Sequence, residues 1–564
     1  MHRFPMNQSK SQRILGVLIL VFGVVAISLA VLATPNLAAQ YFSRGHNITP
    51  HRIKLLNIGR LILSLGGLAG LIFGFILIAV QDVLEKLQSG LLFLHNHLFT
   101  AKMAKWIVGL VLAGLGLIAF PYAVFAQQHI YADGAVFTAR LIQTGRMSAT
   151  GFSNRIMAHL ILELPTFFML KTGLSNIQTL SRIYGFSIYY FPFLCNVLAT
   201  WLLLRKRMNT QAVLLVSMEL ILVFFTSYYM DQEAQLASAL FVLTLAIIAT
   251  SNLRWATPLL VLVGLGVLSV AVYEFWAFFF PVCIFYFLLK IKRQIPIHLT
   301  GKFLQWLVLF SYVAGTVINV IGAFSPGYAT NRGQLLHSLL HEALEWTLVS
   351  CLLFGVVILF SCFTPTLIRI FQLEKRLENL GRFQSPGSIS VAFLLVLVIT
   401  AAASVYLNLH NFPRPQDAYS FRTLHLFLPL LWAASFLARN EAASAPVAAP
   451  RVALLFVLPI LILTMEASLL QTTRWLDYRS SLFTATQHHS GYVPIEQAQL
   501  SHSSFLWGWT SPTMSILEQA FHGRDVQSIF YNPTASLQPY APDDYANAAD
   551  LAKRLHVKIF LSAP

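Results

Sequence analysis

The residues best suited to chemistry in this chain are carboxylates and arginines at the edges of apolar runs. Asp133 lies in the stretch 129–151 (HIYADGAVFTARLIQTGRMSATG), directly after a strongly apolar segment. Behind it the spacing predicts an amphipathic helix with Phe137, Leu141 and Ile142 on one side and Arg140 and Arg146 as its charges, stopping at Gly145. Asp231 and Glu233 stand close together in YYMDQEAQ, Glu274 in VYEFWA, Glu342 and Glu345 in HEALEW, and Arg414, Asp417 and Arg422 in FPRPQDAYSFRTLH. Paired carboxylates can act as a general base or hold a divalent cation, magnesium or manganese. Arginines nearby suit a phosphate or pyrophosphate through bidentate, charge-assisted hydrogen bonds.

The elements that must position these groups are apolar. The composition is 57% hydrophobic and 11% charged, with a mean hydropathy of +0.67. A soluble domain carries about 25% charged residues, so the chain reads as an all-α polytopic membrane protein. Spans are expected near 14–34, 59–80, 106–126, 182–204, 211–229, 234–250, 257–273, 275–290, 303–324, 346–363, 389–407, 423–438 and 452–470, about thirteen in all. The pair around Tyr273 and Glu274 needs a tight turn, which Glu274 could cap as readily as serve function. With the N-terminus inside, Lys and Arg crowd the inner segments, among them Arg205, Lys206, Arg207, Arg254, Lys290, Lys292, Arg293 and Lys302. The net charge of +16 is therefore mostly an orientation signal, and no nucleic-acid partner is expected. The same parity puts Asp133, Asp231, Glu233, Glu274, Arg414 and Arg422 on the outer face. Charges so near lipid are costly unless they face a polar cavity.

Four regions follow. Residues 1–127 hold three spans and a basic outer loop at 35–58, and 128–181 form the first large outer loop. The remaining transmembrane core covers 182–471, and 472–564 a small outer α/β domain. In that domain 525–532 and 555–561 read as strands and 545–555 as a helix. Small-residue faces at Gly66, Gly70 and Gly74 and at Gly109 and 114–116 are read as helix packing. Cys195, Cys283, Cys351 and Cys362 lie in apolar runs without metal spacing and are read as packing. Glu219, mid-span, is expected to be hydrogen-bonded to a neighbouring helix. His159 and Glu163, four apart, are expected to line a surface or groove. His337, His341 and Glu345 make a weak zinc pattern, and His488 and His489 a loop pair without a role. No Walker loop, GxSxG elbow or HExxH is present, which argues against a cytosolic nucleotide-sugar site or an ATP-driven pump.

The run from Asp133 to Arg207 resembles the start of the GT-C superfamily of polyprenyl-phosphate-dependent membrane glycosyltransferases. There an acidic residue after a span is followed by a helix ending near a glycine. A proline-containing amphipathic segment comes next, and then a glycine and an arginine opening the next span. This chain has Asp133, ARLIQTG ending at Gly145, Arg155, HLILELPTFFMLKTG with Pro165 and Gly173, Arg182, and the basic WLLLRKR. It departs in placing the carboxylate after the third span rather than the first, and in having one acidic residue, followed by Gly134, where many members have a pair. The resemblance implies Asp133 as the catalytic carboxylate, and Asp231 and Glu233 as a second acidic site for a metal or the acceptor. Arg414 and Arg422 are assigned to the donor phosphate from chemistry rather than motif. The implied protein moves a sugar from a polyprenyl-phosphate donor to a glycan, lipid or protein acceptor. It would do so on the outer face of a bacterial inner (plasma) membrane, with the lipid bilayer as its setting. The rival expectations are a polymerase or ligase of lipid-linked glycans and a secondary transporter or flippase.

Overall fold

The computed structural model describes residues 101–147, 155–226, 232–294, 299–323, 423–438, 449–534 and 538–560, all in one compact unit. The expected spans 14–34, 59–80, 346–363 and 389–407, the loop 35–58 and His337, His341 and Glu345 lie outside the described residues.

The first described helix, α1 (Ala101–Gly114), passes through a π-helical turn, Leu115–Ala119, into α2 (Phe120–Phe125). The turn has a local cause. The Phe120 N–H bonds the Leu115 carbonyl, five residues back. In that register the next donor would serve Gly116, but Pro121 has no N–H. The Tyr190 hydroxyl takes its place, donating to the Gly116 carbonyl at 2.6 Å. Gly116 is needed there, because a Cβ would lie 2.6 Å from the Phe193 ring.

Two helices outside the long apolar runs follow, α3 (Asp133–Thr144) and α4 (Ile156–Lys171). Gly145, at φ +58°, ends α3 as its type predicts, its N–H bonding the Leu141 carbonyl. The bundle then continues with α5 (Ile177–Arg205), α6 (Asn209–Thr226), α7 (Gln232–Thr250), α8 (Ala256–Ser269), α9 (Trp276–Ile291), α10 (Leu299–Ala323) and α11 (Leu424–Ala438). Short links make sequence neighbours antiparallel. Four helical stretches among the described residues are long and apolar enough to cross a membrane: Lys105–Phe125, Ile177–Arg205, Glu233–Thr250 and Leu299–Ile321.

Their burial sorts them. The apolar window of α7 is 89% buried, that of α10 33%. A helix apolar all round belongs inside a bundle, and α7 packs against α5, α8, α9 and α11. On α10, Phe303, Trp306, Phe310, Val313, Val317 and Ile321 recur at helical spacing on an exposed stripe, which a hydrocarbon phase would cover. The Gly266 backbone lets Tyr312 of α10 approach, and Gly315 does the same for Phe280, which is the small-to-large fit that membrane helices use. Cys195 and Cys283 are free thiols in this packing.

Helix α12 (Ala449–His488) crosses the boundary expected at 472 without interruption. Nothing in QTTRWLDYRSSLFTATQH stops a helix until Gly491, at φ +83°. Beyond it come β1 (Gly491–Pro494), α13 (Ser511–Phe521), β2 (Ser528–Tyr531) and α14 (Tyr545–Arg554). β1 and β2 pair in parallel, with Gly491 opposite Ser528. The strand expected at 555–561 contributes one isolated bridge, Val526 with Ile559. This small α/β unit leans on the rest. Gln143 of α3 donates to Asp550 Oδ2 at 3.0 Å and accepts from the Tyr540 hydroxyl at 2.8 Å. Gln178 of α5 donates to the Phe521 carbonyl at 2.6 Å.

That contact changes the expected character of α3. Its wet side is narrower than the pattern predicts: Arg140 and Thr144 stay exposed and Phe137, Leu141 and Ile142 are buried as expected, but Ala135, Val136, Thr138 and Ala139 are buried as well. The C-terminal unit packs against part of the side that the sequence pattern leaves to water.

Candidate functional site

The link between α2 and α3 is held from three directions. Trp475 Nε1 and Arg479 Nη1, both on α12, donate to the Ala126 carbonyl at 3.0 and 2.8 Å. Thr472 bonds the Gln128 side chain at 3.0 Å. His129 and Ser181 share a hydrogen bond of 2.9 Å. Burial first, and then the Arg479 charge, push the His129 imidazole down to about 3, so it is neutral. Tyr131 meets the ring edges or faces of Trp475, Phe505 and Trp507 at 5.8, 6.1 and 6.2 Å. Ala132 then adopts φ 50°, ψ −123°, a conformation that L residues rarely adopt and that persists only when the surroundings over-determine it. The next residue is Asp133, in the first turn of α3, where the helix dipole favours a carboxylate.

A second group comes from α4, α7 and the turn between α8 and α9. Arg155, at the head of α4, directs Nε and Nη2 to Glu274 Oε1, both at 3.3 Å, and Nη1 to Glu233 Oε1 at 3.9 Å. His159 Nδ1 lies 3.0 Å from Glu163 Oε1, and its Nε2 lies 3.8 Å from Glu233 Oε1. Glu233 is thus bracketed by a guanidinium and an imidazole. The turn 270–275 is docked on α4, since the Met157 N–H bonds the Ala271 carbonyl at 3.1 Å, with Ala271 at φ 59°. The Arg155 guanidinium covers the Tyr273 ring at 4.6 Å. For His159, burial opposes the charge and Arg155 repels it, but Glu163 and Glu233 together win and raise the imidazole above its ordinary value.

Tyr184 of α5 and Phe137 of α3 join the two groups. Tyr184 is 1% exposed and its ring meets His129 edge-on at 6.1 Å, while Phe137 meets the His159 ring edge-on at 4.8 Å. Asp133, Glu163, Glu233 and Glu274 therefore share one end of the bundle with Arg155, His159 and Tyr184.

Of the sequence candidates, Asp133, Glu233 and Glu274 are brought to this end, while Asp231, Arg414 and Arg422 lie outside the described residues. His159 and Glu163 were expected to line a surface or groove. They are 3% and 0% exposed and belong to the cluster. Their signal was a carboxylate inside the apolar run LILELPTFF, four residues after a histidine. Glu219 behaves as expected, accepting from Asn196 Nδ2 of the neighbouring α5 at 2.7 Å. The Glu274 side chain, weighed in the sequence as a turn cap, accepts from Arg155.

A divalent cation is a poor fit to the described carboxylates. Glu233 and Glu274 are gathered on a guanidinium, Glu163 on an imidazole, and no trio of ligands sits together among the described residues. The set is net acidic, four carboxylates against Arg155 and His159. It suits hydroxyl groups and proton acceptance rather than phosphate.

The fold and site define a mostly helical protein with four described helical stretches long and apolar enough to cross a membrane and a largely buried acidic cluster at one end of its bundle. Comparison with protein-family models, curated proteins and solved structures gives no match for the chain.

Proposed function

We propose that this chain is an integral membrane glycosyltransferase of GT-C type, transferring a sugar from a polyprenyl-phosphate donor to an acceptor on the extracytoplasmic face of a bacterial plasma membrane. In this reading about thirteen helices span the membrane, the N-terminus is inside, and the C-terminal α/β unit is outside. What supports this reading is that Asp133 heads α3, whose Phe137 ring meets the His159 imidazole at 4.8 Å, so the carboxylate shares one end of the bundle with Glu163 and Glu233, the partners of His159.

Asp133 accepts the proton of the acceptor hydroxyl as that oxygen attacks the anomeric carbon. The bond from that carbon to the phosphate oxygen breaks, and the polyprenyl phosphate leaves with the electron pair. Glu233 and Glu274, fixed by Arg155 and His159, orient acceptor hydroxyls around Asp133, and the buried Glu163 holds the His159 ring in place. Preorganised dipoles and charges of this sort reduce reorganisation during reaction. Arg414 and Arg422 remain the proposed holders of the leaving phosphate. No step is routed through a cation.

The test is transfer of a labelled sugar from a polyprenyl-phosphate donor by the purified protein, with Asp133→Asn beside it. The variant is expected to lose about 10²–10⁴-fold, the worth of a positioned general base. Equal transfer by the two proteins would remove Asp133 from the mechanism. Transfer only from a diphosphate-linked oligosaccharide would favour the polymerase or ligase reading.

A further inference from the structure

The other end of the bundle carries a feature that the transfer reaction does not use. Along α7, from Glu233 to Thr250, the rise is about 26 Å at 1.5 Å per residue, and there two adjoining cavities of about 780 and 570 Å³ open. They share Lys206, Thr250, Ser251 and Asn252. The larger has an apolar wall of Leu202, Ile247, Pro258 and Val261, with Arg205 at its rim. The smaller adds Lys290 and Arg293. No Asp or Glu lines either cavity. Lys290 Nζ donates to the Ala249 carbonyl at 2.8 Å, which fixes its ammonium at the end of α7. Lys206 and Arg293 are close enough for their charges to act on it.

A cluster of like charges around a cavity is self-repelling unless an anion joins it. A general excess of Lys and Arg would orient the protein without building a cavity. Here a polar floor adjoins an apolar wall, so the cavity has room for a charged head and a hydrocarbon tail. The depth is marked independently. Trp106, Trp201 and Trp255, 71, 52 and 69% exposed, all stand at this end of their helices, and the Arg205 guanidinium covers the Trp201 ring at 5.3 Å. Exposed tryptophans of this sort gather at the level of lipid headgroups.

We propose that these cavities bind an anionic membrane phospholipid. Its phosphate lies among Lys206, Lys290 and Arg293, and an acyl chain lies along the wall from Leu202 to Val261. The site is separate from the acidic cluster and stands whether or not the chain transfers sugar.

The test uses the full chain in neutral detergent, titrated with phosphatidylglycerol, phosphatidylcholine or inorganic phosphate. Thermal unfolding and retained lipid are read in native mass spectra. Phosphatidylglycerol is expected to raise the unfolding temperature saturably and to survive delipidation, with phosphatidylcholine and free phosphate giving neither effect. Lys206→Gln and Arg293→Gln, at exposed side chains, are each expected to weaken phosphatidylglycerol about fivefold, in line with the usual contribution of one basic residue near an anionic membrane. Lys302→Gln, also at this end but outside both cavities, is expected to leave it unchanged. Equal loss in Lys302→Gln would mean diffuse attraction and would overturn the site. Equal stabilisation of the unmodified chain by phosphatidylcholine, or by free phosphate, would overturn it without recourse to any variant.

Discussion

At the residue scale, His159 is the group whose charge is most informative. Burial alone would make it neutral, and Arg155 pushes the same way, yet Glu163 and Glu233 raise it above the ordinary 6.5. The sign follows. A histidine with a raised folded value stabilises the fold fully below its unfolded value, and that contribution fades as pH climbs through the folded value. Unfolding temperatures of the unmodified chain and His159→Gln, taken between about pH 5.5 and 8.5, should therefore differ most at the acid end and converge on raising the pH. His129, with a lowered value, acts in the opposite sense in both proteins and cancels in the difference. A gap that widens with pH would contradict the assignment. Glu163→Gln should shrink the same gap, because the hydrogen bond to Nδ1 loses its charge.

The cluster was only half legible in the sequence, for a physical reason. Asp133, Glu233 and Glu274 announce themselves as charges next to apolar runs. Arg155 does not, because its role depends on α4 folding over the turn 270–275, a contact between segments more than a hundred residues apart. His159 shows only its local half, the pair with Glu163, and not its approach to Glu233. Local spacing carries no record of such a contact.

At the element scale, the helical glycines are of different kinds. Gly109 has open space where a Cβ would sit. At Gly185, on α5, a Cβ would lie 2.2 Å from His129 Nδ1. Alanine normally stabilises a helix interior by about 0.5–1 kcal/mol relative to glycine. Displacing a packed, hydrogen-bonded imidazole costs about 1–3 kcal/mol, as overpacking does. The second effect wins, so Gly185→Ala should lower stability, while Gly109→Ala should be neutral or slightly stabilising; thermal unfolding in detergent reads both. Tyr190→Phe tests the π-helical turn in the same assay. It strands the Gly116 carbonyl that Pro121 cannot serve, and about 1–3 kcal/mol should be lost, the usual penalty of an unsatisfied buried acceptor. The helices themselves were well marked by apolar length. Their ends were less so where a polar helix continued out of an apolar one, as α12 does past residue 471.

At the scale of the whole molecule, the open question is whether the C-terminal unit is an accessory or a part of the site. Arg479 and Glu518 argue for the second. Glu518 is fully buried and Arg479 nearly so, they form a two-pronged ion pair with Nη2 to Oε2 at 3.0 Å, and Arg479 also holds the Ala126 carbonyl. The pair thus joins α13 to the link that presents Ala132 and Asp133. Glu518→Gln leaves a buried guanidinium without its counter-charge, which costs about 3–5 kcal/mol. Two consequences should appear together. Limited proteolysis should cut the C-terminal unit faster, and sugar transfer should fall although Glu518 belongs to α13 and not to the acidic cluster. Replacing both partners, Arg479→Leu with Glu518→Leu, removes the stranded charge and should restore much of the protease resistance. It cannot restore the hydrogen bond to Ala126, so transfer should stay low in the double variant. That split between stability and activity separates a positioning role from simple unfolding. If the double variant recovered both, the strained backbone at Ala132 would need no support from Arg479, and the aromatic surround of Tyr131 would be enough to hold Asp133 in place.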